Sequence, residues 1–305
     1  MKKYMIDNYK NLARKFKIEG QLIKALRFYE KAYKQPGAKD DVELLLDMAI
    51  NYDEFENEAM AEEKYWEVLA VDKEECRAYY GLGTIYDRQE EYYKAIEYYK
   101  KAIELNPIYD RAYFFLADSY EKINERNKAK ESYKKAIEIN NKDFWSHTNL
   151  GSMYEEDNEN EQAYYHMKRA LEIIPNHYMA LFNMGVILKK LGRINEAIDY
   201  YEKSIMENEE YAYGYLNLSI IYKENRDYKN AIEVISRGIE YNPHVAVLYY
   251  NRACFYININ LYDRALKDII TSYKIEPRLK RYIKKDEELN PIKAFKAYKL
   301  VFEKE

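Results

Sequence analysis

Glycine, proline, cysteine, tryptophan and histidine are all scarce in this 305-residue chain: nine, six, two, two and four residues. The glycines form no phosphate-cradling loop motif. The cysteines, Cys76 and Cys254, are far apart in the chain and suit two free thiols in a reducing compartment better than a disulfide. His147, His166, His177 and His244 have no metal-ligand spacing, and His147 takes the place of a packing aromatic. Carboxylate pairs such as Glu155-Glu156 fall at helix ends with no group to tune them. No run approaches the ~18 apolar residues of a membrane span. The N-terminus, Met1-Lys2-Lys3-Tyr4-Met5-Ile6-Asp7-Asn8, lacks the apolar stretch of a signal peptide, so a cytoplasmic protein is expected. The net charge of −4, with 33% charged residues, gives no basic excess for nucleic acid. These absences together point away from an enzyme, a cofactor and a bound metal.

What the chain does have is a period. Alanine recurs at Ala25, Ala61, Ala95, Ala129, Ala163, Ala197, Ala231 and Ala265, with one gap of 36 residues and then gaps of 34. A period of this length marks stacked supersecondary units. Eight repeats follow, at 6–41, 42–75, 76–109, 110–143, 144–177, 178–211, 212–245 and 246–279. Within each, positions are counted from 1, so the alanine is position 20. Position 8 is always small: Ala13, Ala49, Gly83, Ala117, Gly151, Gly185, Ser219 and Ala253. Position 27 is small except at Val68, and position 7 is apolar except at Arg252. Position 11 is aromatic or leucine, from Phe16 through Tyr52 to Tyr256. Positions 4, 7, 8 and 11 share one helical face, as do 20, 24 and 27. Each repeat therefore predicts two amphipathic helices, near positions 1–14 and 17–31, packed closely where small residues meet.

The punctuation agrees. Position 15, between the helices, holds Gly20, Asn124, Asn158, Gly192 and Asn260, which tolerate the left-handed conformation that ends a helix. Position 32 holds Pro107, Pro175, Pro243 and Pro277, which stop the second helix. The two extra residues of the first repeat fit the loop Gln35-Pro36-Gly37-Ala38-Lys39-Asp40.

This column pattern resembles the tetratricopeptide repeat family. The clearest copy carries Tyr79, Leu82, Gly83, Tyr86, Ala95, Tyr99, Ala102 and Pro107. The resemblance spans residues 6–279 and implies an all-α fold: a right-handed α-solenoid superhelix of eight helix-turn-helix repeats, concave on the first-helix side. Residues 280–305 depart from the repeat. There, Asn290-Pro291 reads as an N-cap and first helical position. Ile292, Phe295, Tyr298 and Phe302 then make an apolar stripe opposite Lys293, Lys296 and Lys299. A capping helix over the last repeat is expected, because a solenoid's end must be covered.

First-helix positions 2, 5, 6, 9, 12 and 13 are expected to face the groove. Position 6 is Asn149, Asn183, Asn217 and Asn251 in four consecutive repeats. An asparagine amide offers both donor and acceptor, so a column of them can pair with the backbone of an extended chain. First helices ~8–10 Å apart, against ~3.3 Å per extended residue, would put one Asn at about every third residue. Hydrogen bonds of about 0.5–1.5 kcal/mol each do not reach micromolar binding alone. Trp145, Phe182, Tyr213, Leu216 and Tyr250 are the candidates for side-chain pockets, and Lys189, Lys190 and Lys223 for charge. The column resembles the Asn ladders of the O-linked N-acetylglucosamine transferase repeats and of importin-type solenoids. Two readings stay open, a peptide-backbone ladder and a polar filler bonded within and between helices.

The remaining groove charge is mixed. Glu43, Asp47, Asp53 and Glu54 are followed by Arg77, Arg88 and Arg111, read either as a selector for a charged partner or as a solvated face. The family's two-carboxylate clamp does not fit. Arg14 stands at position 9 of the first repeat, Asp47 at position 6 of the second and Gly81 at position 6 of the third. The expected function is a non-catalytic scaffold for an extended segment of another protein. The alternative is self-assembly into a homo-oligomer through the ends or a tyrosine-rich convex face bearing Tyr92, Tyr93, Tyr164 and Tyr165.

Overall fold

The computed structural model describes residues 2–303, with only the backbone of Lys2 and Lys3. Met1, in the N-terminal stretch read above, and Lys304 and Glu305, at the end of the capping segment, lie outside it. The described residues are all helix and turn, with no strand. None of their helices is long and apolar enough to cross a membrane.

Sixteen helices form eight pairs. They are α1 (Lys2–Ile18) with α2 (Leu22–Tyr33), α3 (Val42–Glu54) with α4 (Glu58–Val71), α5 (Cys76–Arg88) with α6 (Tyr92–Leu105), and α7 (Asp110–Lys122) with α8 (Arg126–Ile139). Then come α9 (Phe144–Glu156) with α10 (Asn160–Ile173), α11 (Tyr178–Lys190) with α12 (Ile194–Glu207), α13 (Ala212–Glu224) with α14 (Tyr228–Tyr241), and α15 (Ala246–Asn258) with α16 (Tyr262–Ile275). From the second repeat on, the helices occupy positions 1–13 and 17–30, within a residue of the pattern's prediction. The first helix starts four residues earlier than the pattern at Ile6. The 36-residue gap is absorbed by a short 3-10 turn, Ala38–Asp40, whose Ala38 is buried.

All eight position-15 residues adopt positive φ: Gly20, Asn124, Asn158, Gly192 and Asn260 as expected, but also Glu56, Glu90 and Arg226. The reason is a backbone lock repeated at every hairpin. In repeat 3, Glu90 N donates to Asp87 O (3.0 Å) and Glu91 N to Tyr86 O (2.9 Å). This closing pattern requires the left-handed residue whatever its side chain. For glutamate and arginine that conformation is strained. Replacing Glu56, Glu90 and Arg226 by glycine is therefore expected to stabilise the fold by about 0.5–1 kcal/mol each. A urea midpoint that falls in the triple variant would contradict this.

The chain divides into two compact bodies, one ending at Ser146 and one beginning at His147. In the N-terminal body the period-34 alanines Ala25, Ala61, Ala95 and Ala129 have no exposed surface, and Tyr29, Tyr65, Tyr99 and Tyr133 pack at position 24. In the C-terminal body, Ala163, Ala197, Ala231 and Ala265 are equally buried, with Met167, Tyr201, Ile235 and Ile269 at position 24. The fit between positions 8 and 24 is tight: a Cβ on Gly83 would lie 2.5 Å from the Tyr99 ring. Small residues therefore set how closely the two helices of a pair approach.

The C-terminal segment differs from the single capping helix expected. It comprises a 3-10 turn at Pro277–Leu279, then α17 (Lys280–Lys285), α18 (Asn290–Lys293) and α19 (Lys296–Phe302). Asn290 is the first helical residue and not the cap; Leu289 precedes the helix with no side-chain capping bond. The apolar stripe nevertheless packs as expected. Ile292, Tyr298 and Phe302 are buried, and Phe295 partly so, against Ala265, Leu266 and Ile269 of the last repeat. Continuing α18 into α19 as one helix would hold these side chains on one straight face. The break at Ala294-Phe295 instead lets two short helices follow the last repeat.

Candidate functional site

First helices of successive repeats lie side by side: α3, α5 and α7 in the N-terminal body, α13 and α15 in the C-terminal body. This brings residues about 34 apart into contact, and polar pairs form at that separation. In the N-terminal body Arg14 Nε bonds Asp47 at 2.6 Å, Lys10 pairs with Asp41 at 2.8 Å and Lys17 with Glu54 at 3.0 Å. Arg77 pairs with Glu43 at 2.6 Å, and Arg88 with both Asp53 and Glu58. Burial pushes the Asp41 carboxyl up, but the Lys10 ammonium and the Leu44 amide outweigh it and hold it below the usual range. The mixed charges of repeats 2 and 3 thus neutralise one another. Each exposed pair contributes at most about 1 kcal/mol, so their main effect is to remove free charge from this face. Arg111 is the exception, with no ion pair among the described residues.

Arg111 instead borders an open cavity of about 450 Å³ in the N-terminal body. Tyr80, Phe114, Phe115, Trp145 and Lys142 line it, together with Asp110, Asn140 and Asp143. Both acids are engaged. Asp110 accepts from Arg111 N (2.8 Å) and Asn140 Nδ2 (3.0 Å), and Asp143 accepts from Trp145 N (3.2 Å) and the Ser146 hydroxyl. Burial pushes the Tyr80 hydroxyl up to about 12, against the pull of the nearby Arg111 guanidinium. Trp145, proposed from sequence as a pocket residue, is 49% exposed here.

The asparagine column lies in the C-terminal body at one register of α9, α11, α13 and α15. Asn217 Nδ2 donates to Tyr213 O at 3.0 Å and Asn251 Nδ2 to Val247 O at 2.8 Å, each one turn back in its own helix. Asn183 Nδ2 donates across to Ser152 Oγ at 3.2 Å, joining two repeats. Asn149 also has polar or ring neighbours. Each of the four is half-buried. One N–H of Asn217 and of Asn251 is thereby anchored, and the Oδ1 of each carries no bond among the described residues.

The other sequence candidates fall into two groups. Tyr213 is exposed, with its ring 5.7 Å from Tyr211, while Phe182 is half-buried between the Tyr201 and Tyr211 rings. The lysines are already paired: Lys189 with Glu224 at 2.7 Å, Lys190 with Glu155 at 2.5 Å and Lys223 with Glu288 at 3.0 Å. Tyr250 donates its hydroxyl to Asp286. Lys223 and Tyr250 thus meet the chain's own C-terminal turn, which periodicity did not foresee because that turn lies outside the repeat.

The ligand atoms of Cys254, Asp286 and Glu288 come within 4.8 Å of one another, the one group of three or more metal-capable side chains among the described residues. No ligand spacing marks it in the sequence, since Cys254 lies more than thirty residues before the Asp286 and Glu288 pair, across the repeat boundary. Burial and the two carboxylates push the Cys254 thiol up to about 12. Donors already serve the carboxylates, namely the Tyr250 hydroxyl, the Lys223 ammonium and Asn258 Nδ2. With the Lys223 ammonium adjacent and both carboxylates already accepting from side-chain donors, the group forms a hydrogen-bonded network. His147 and His166 face one another in the core, Nδ1 to Nδ1 at 3.1 Å.

Family models of the tetratricopeptide repeat match residues 76–109 and 178–211, residues 110–143, 212–245 and 246–279, and residues 132–165. Similar solved structures include YrrB, described as a TPR protein with an unusual peptide-binding site. It is 21% identical over 61% of this chain and 95% of its own, with a TM-score of 0.53. Pseudomonas aeruginosa pilF is 22% identical over 72% of this chain and 96% of its own, with a TM-score of 0.56. The APC/C hetero-tetramer Cut9-Hcn1 matches at 15% identity over 89% of this chain and 52% of its own, with a TM-score of 0.56. At these identities the likeness is one of fold. No curated protein sequence matches the chain.

Proposed function

The chain belongs to the tetratricopeptide repeat family, and from that premise we propose that it is a non-catalytic scaffold. Its role is to hold an extended segment of another protein against the first helices of the C-terminal body. The observation that carries this reading is the asparagine column. An amide anchored to its own helix by one N–H, as at Asn217 and Asn251, presents its Oδ1 in a fixed direction. Pre-orientation lowers the entropy lost when a peptide N–H is bound. Tyr213, exposed one turn before Asn217, offers an aromatic surface beside it.

The test removes the column: Asn149→Ala, Asn183→Ala, Asn217→Ala and Asn251→Ala together. Four bonds at about 0.5–1.5 kcal/mol each correspond to a loss of at least about 30-fold in affinity. In a lysate pull-down read by mass spectrometry, a partner held by wild type is expected to be missing from the folded variant. Recovery of the same proteins by both would make the column a structural filler.

Self-assembly is the second reading, favoured by Tyr93 and Tyr165, both largely exposed. Light scattering that shows a concentration-independent monomer would remove it.

A further inference from the structure

Repeat 8 shows what its position-5 tyrosine can hold. Tyr250 donates to Asp286, and its ring lies 5.4 Å from Tyr282. Two residues on, Glu288 pairs with Lys223 at 3.0 Å and accepts Asn258 Nδ2 at 3.0 Å. The segment seated there reads Asp286-Glu287-Glu288-Leu289, and the Leu289 side chain is fully buried. Carboxylates on a tyrosine hydroxyl, a lysine and an asparagine amide, with the Tyr282 ring and the buried Leu289 side chain beside them, make this contact.

Repeat 3 has the same position-5 tyrosine, Tyr80, with a cation near it, the Arg111 guanidinium of the following repeat where repeat 8 has the Lys223 ammonium of the preceding one, but there the surface is an open cavity. Phe114 and the half-exposed Trp145 offer an apolar wall, and Arg111 and Lys142 stand at its edge without ion pairs among the described residues. Arg14, Arg77 and Arg88, on other first helices of the same body, all hold carboxylates. The two acids of the cavity are committed to backbone and side-chain donors.

We infer that this cavity binds an acidic segment of a partner protein bearing one apolar side chain. The apolar group packs on Phe114 and Trp145, and the flanking carboxylates take Arg111 and Lys142. Guanidinium–carboxylate bonds are charge-assisted and directional, and the aromatic wall adds apolar burial. The chain's own acidic turn is already seated on Tyr250, so the occupant is another chain. The inference rests on the reading of this protein as a protein-binding repeat, but it places the contact in the N-terminal body, where Trp145 lies one turn before Asn149 on α9.

A phage-displayed library of random dodecapeptides tests it against three baits. These are wild type, the charge reversal Arg111→Glu with Lys142→Glu, and the threefold variant Asn183→Ala, Asn217→Ala and Asn251→Ala, which leaves Asn149 beside the cavity untouched, each checked for folding by circular dichroism. Peptides combining several Asp or Glu with an aromatic or branched apolar residue are expected to enrich on wild type and on the Asn variant. The reversal is expected to lower their recovery at least tenfold. Enrichment of peptides without acidic residues, equal recovery on the reversal, or no enrichment at all overturns the inference. So does dimerisation of wild type that the reversal abolishes, which would make the cavity a self-contact. Loss on the Asn variant alone would support the column and count against this cavity.

Discussion

Asp268→Ala is expected to cost about 3–5 kcal/mol, the typical effect of stranding a buried charge. Asp268 is 5% exposed and holds Arg252 through two bonds, Nε to Oδ2 at 2.7 Å and Nη2 to Oδ1 at 3.0 Å. Arg252 Nη1 also donates to Ser236 Oγ at 3.0 Å. With Asp268 removed, the guanidinium keeps only that hydroxyl and the faces of Tyr249 and Tyr256, 5.7 and 5.8 Å away. Replacing both partners is a different experiment. Arg252→Leu restores the leucine of most position-7 residues, and Asp268→Val copies Val234, the same position one repeat earlier. The double variant is expected to fall within about 1 kcal/mol of wild type or above it, since a well-packed apolar pair often matches a buried ion pair. Urea midpoints of the single and double variants check this, with hydrogen exchange in α15 and α16 locating the loss. A single variant as stable as wild type would mean the ion pair holds nothing there.

Gly83→Ala is expected to destabilise by about 1–3 kcal/mol, and Gly151→Ala by well under 1 kcal/mol, although both stand at position 8. The new Cβ at residue 83 would meet the Tyr99 ring at 2.5 Å, and that ring is fully buried with nowhere to turn. At residue 151 the new Cβ would meet the terminal methyl and the backbone nitrogen of Met167, both at 3.3 Å. The methyl, at the end of three rotatable bonds, yields where a ring cannot, and the backbone contact needs a shift of only a few tenths of an ångström. Tyr99→Leu in the Gly83→Ala background should recover part of the loss by opening space. Equal urea midpoints for the two alanine variants would show that the helices of a pair slide apart freely.

Much of the fold was legible because one repeat is one solution to packing, copied eight times. The small residue at position 8, the alanine at 20 and the breaker at 15 each report a close approach or a chain reversal. Those demands are local to the repeat, so the period reveals them. Where the pattern broke, the sequence registered the exception without its cause. Arg252 stood out at an apolar position, but its partner Asp268 sits sixteen residues on, in the other helix of the pair. Glu56, Glu90 and Arg226 gave no sign of left-handed backbone, because the hairpin's hydrogen bonds impose it from outside.

The candidate site was legible only as residue types at a register. The sequence placed Asn149, Asn183, Asn217 and Asn251 on one helical face, and it separated acidic from basic repeats. It did not give which charges cancel. Arg77 is spent on Glu43 and Lys223 on Glu288, while Arg111 has no ion pair among the described residues, and these outcomes depend on side-chain reach between neighbouring helices. Nor did it show that residues 286–289 fold back onto Tyr250, because a segment outside the repeat has no period to read.

The sequence by itself determined an all-α repeat of eight helix pairs, the buried face of each repeat helix and the position of the turns within the repeats. Periodicity and helix stops encode those features within about thirty residues. Only the tertiary structure decided which polar groups are satisfied, where the C-terminal segment lies and which surface keeps free cations beside an open aromatic cavity. Those outcomes turn on distances of a few ångströms between side chains of different helices and turns, which no local pattern specifies.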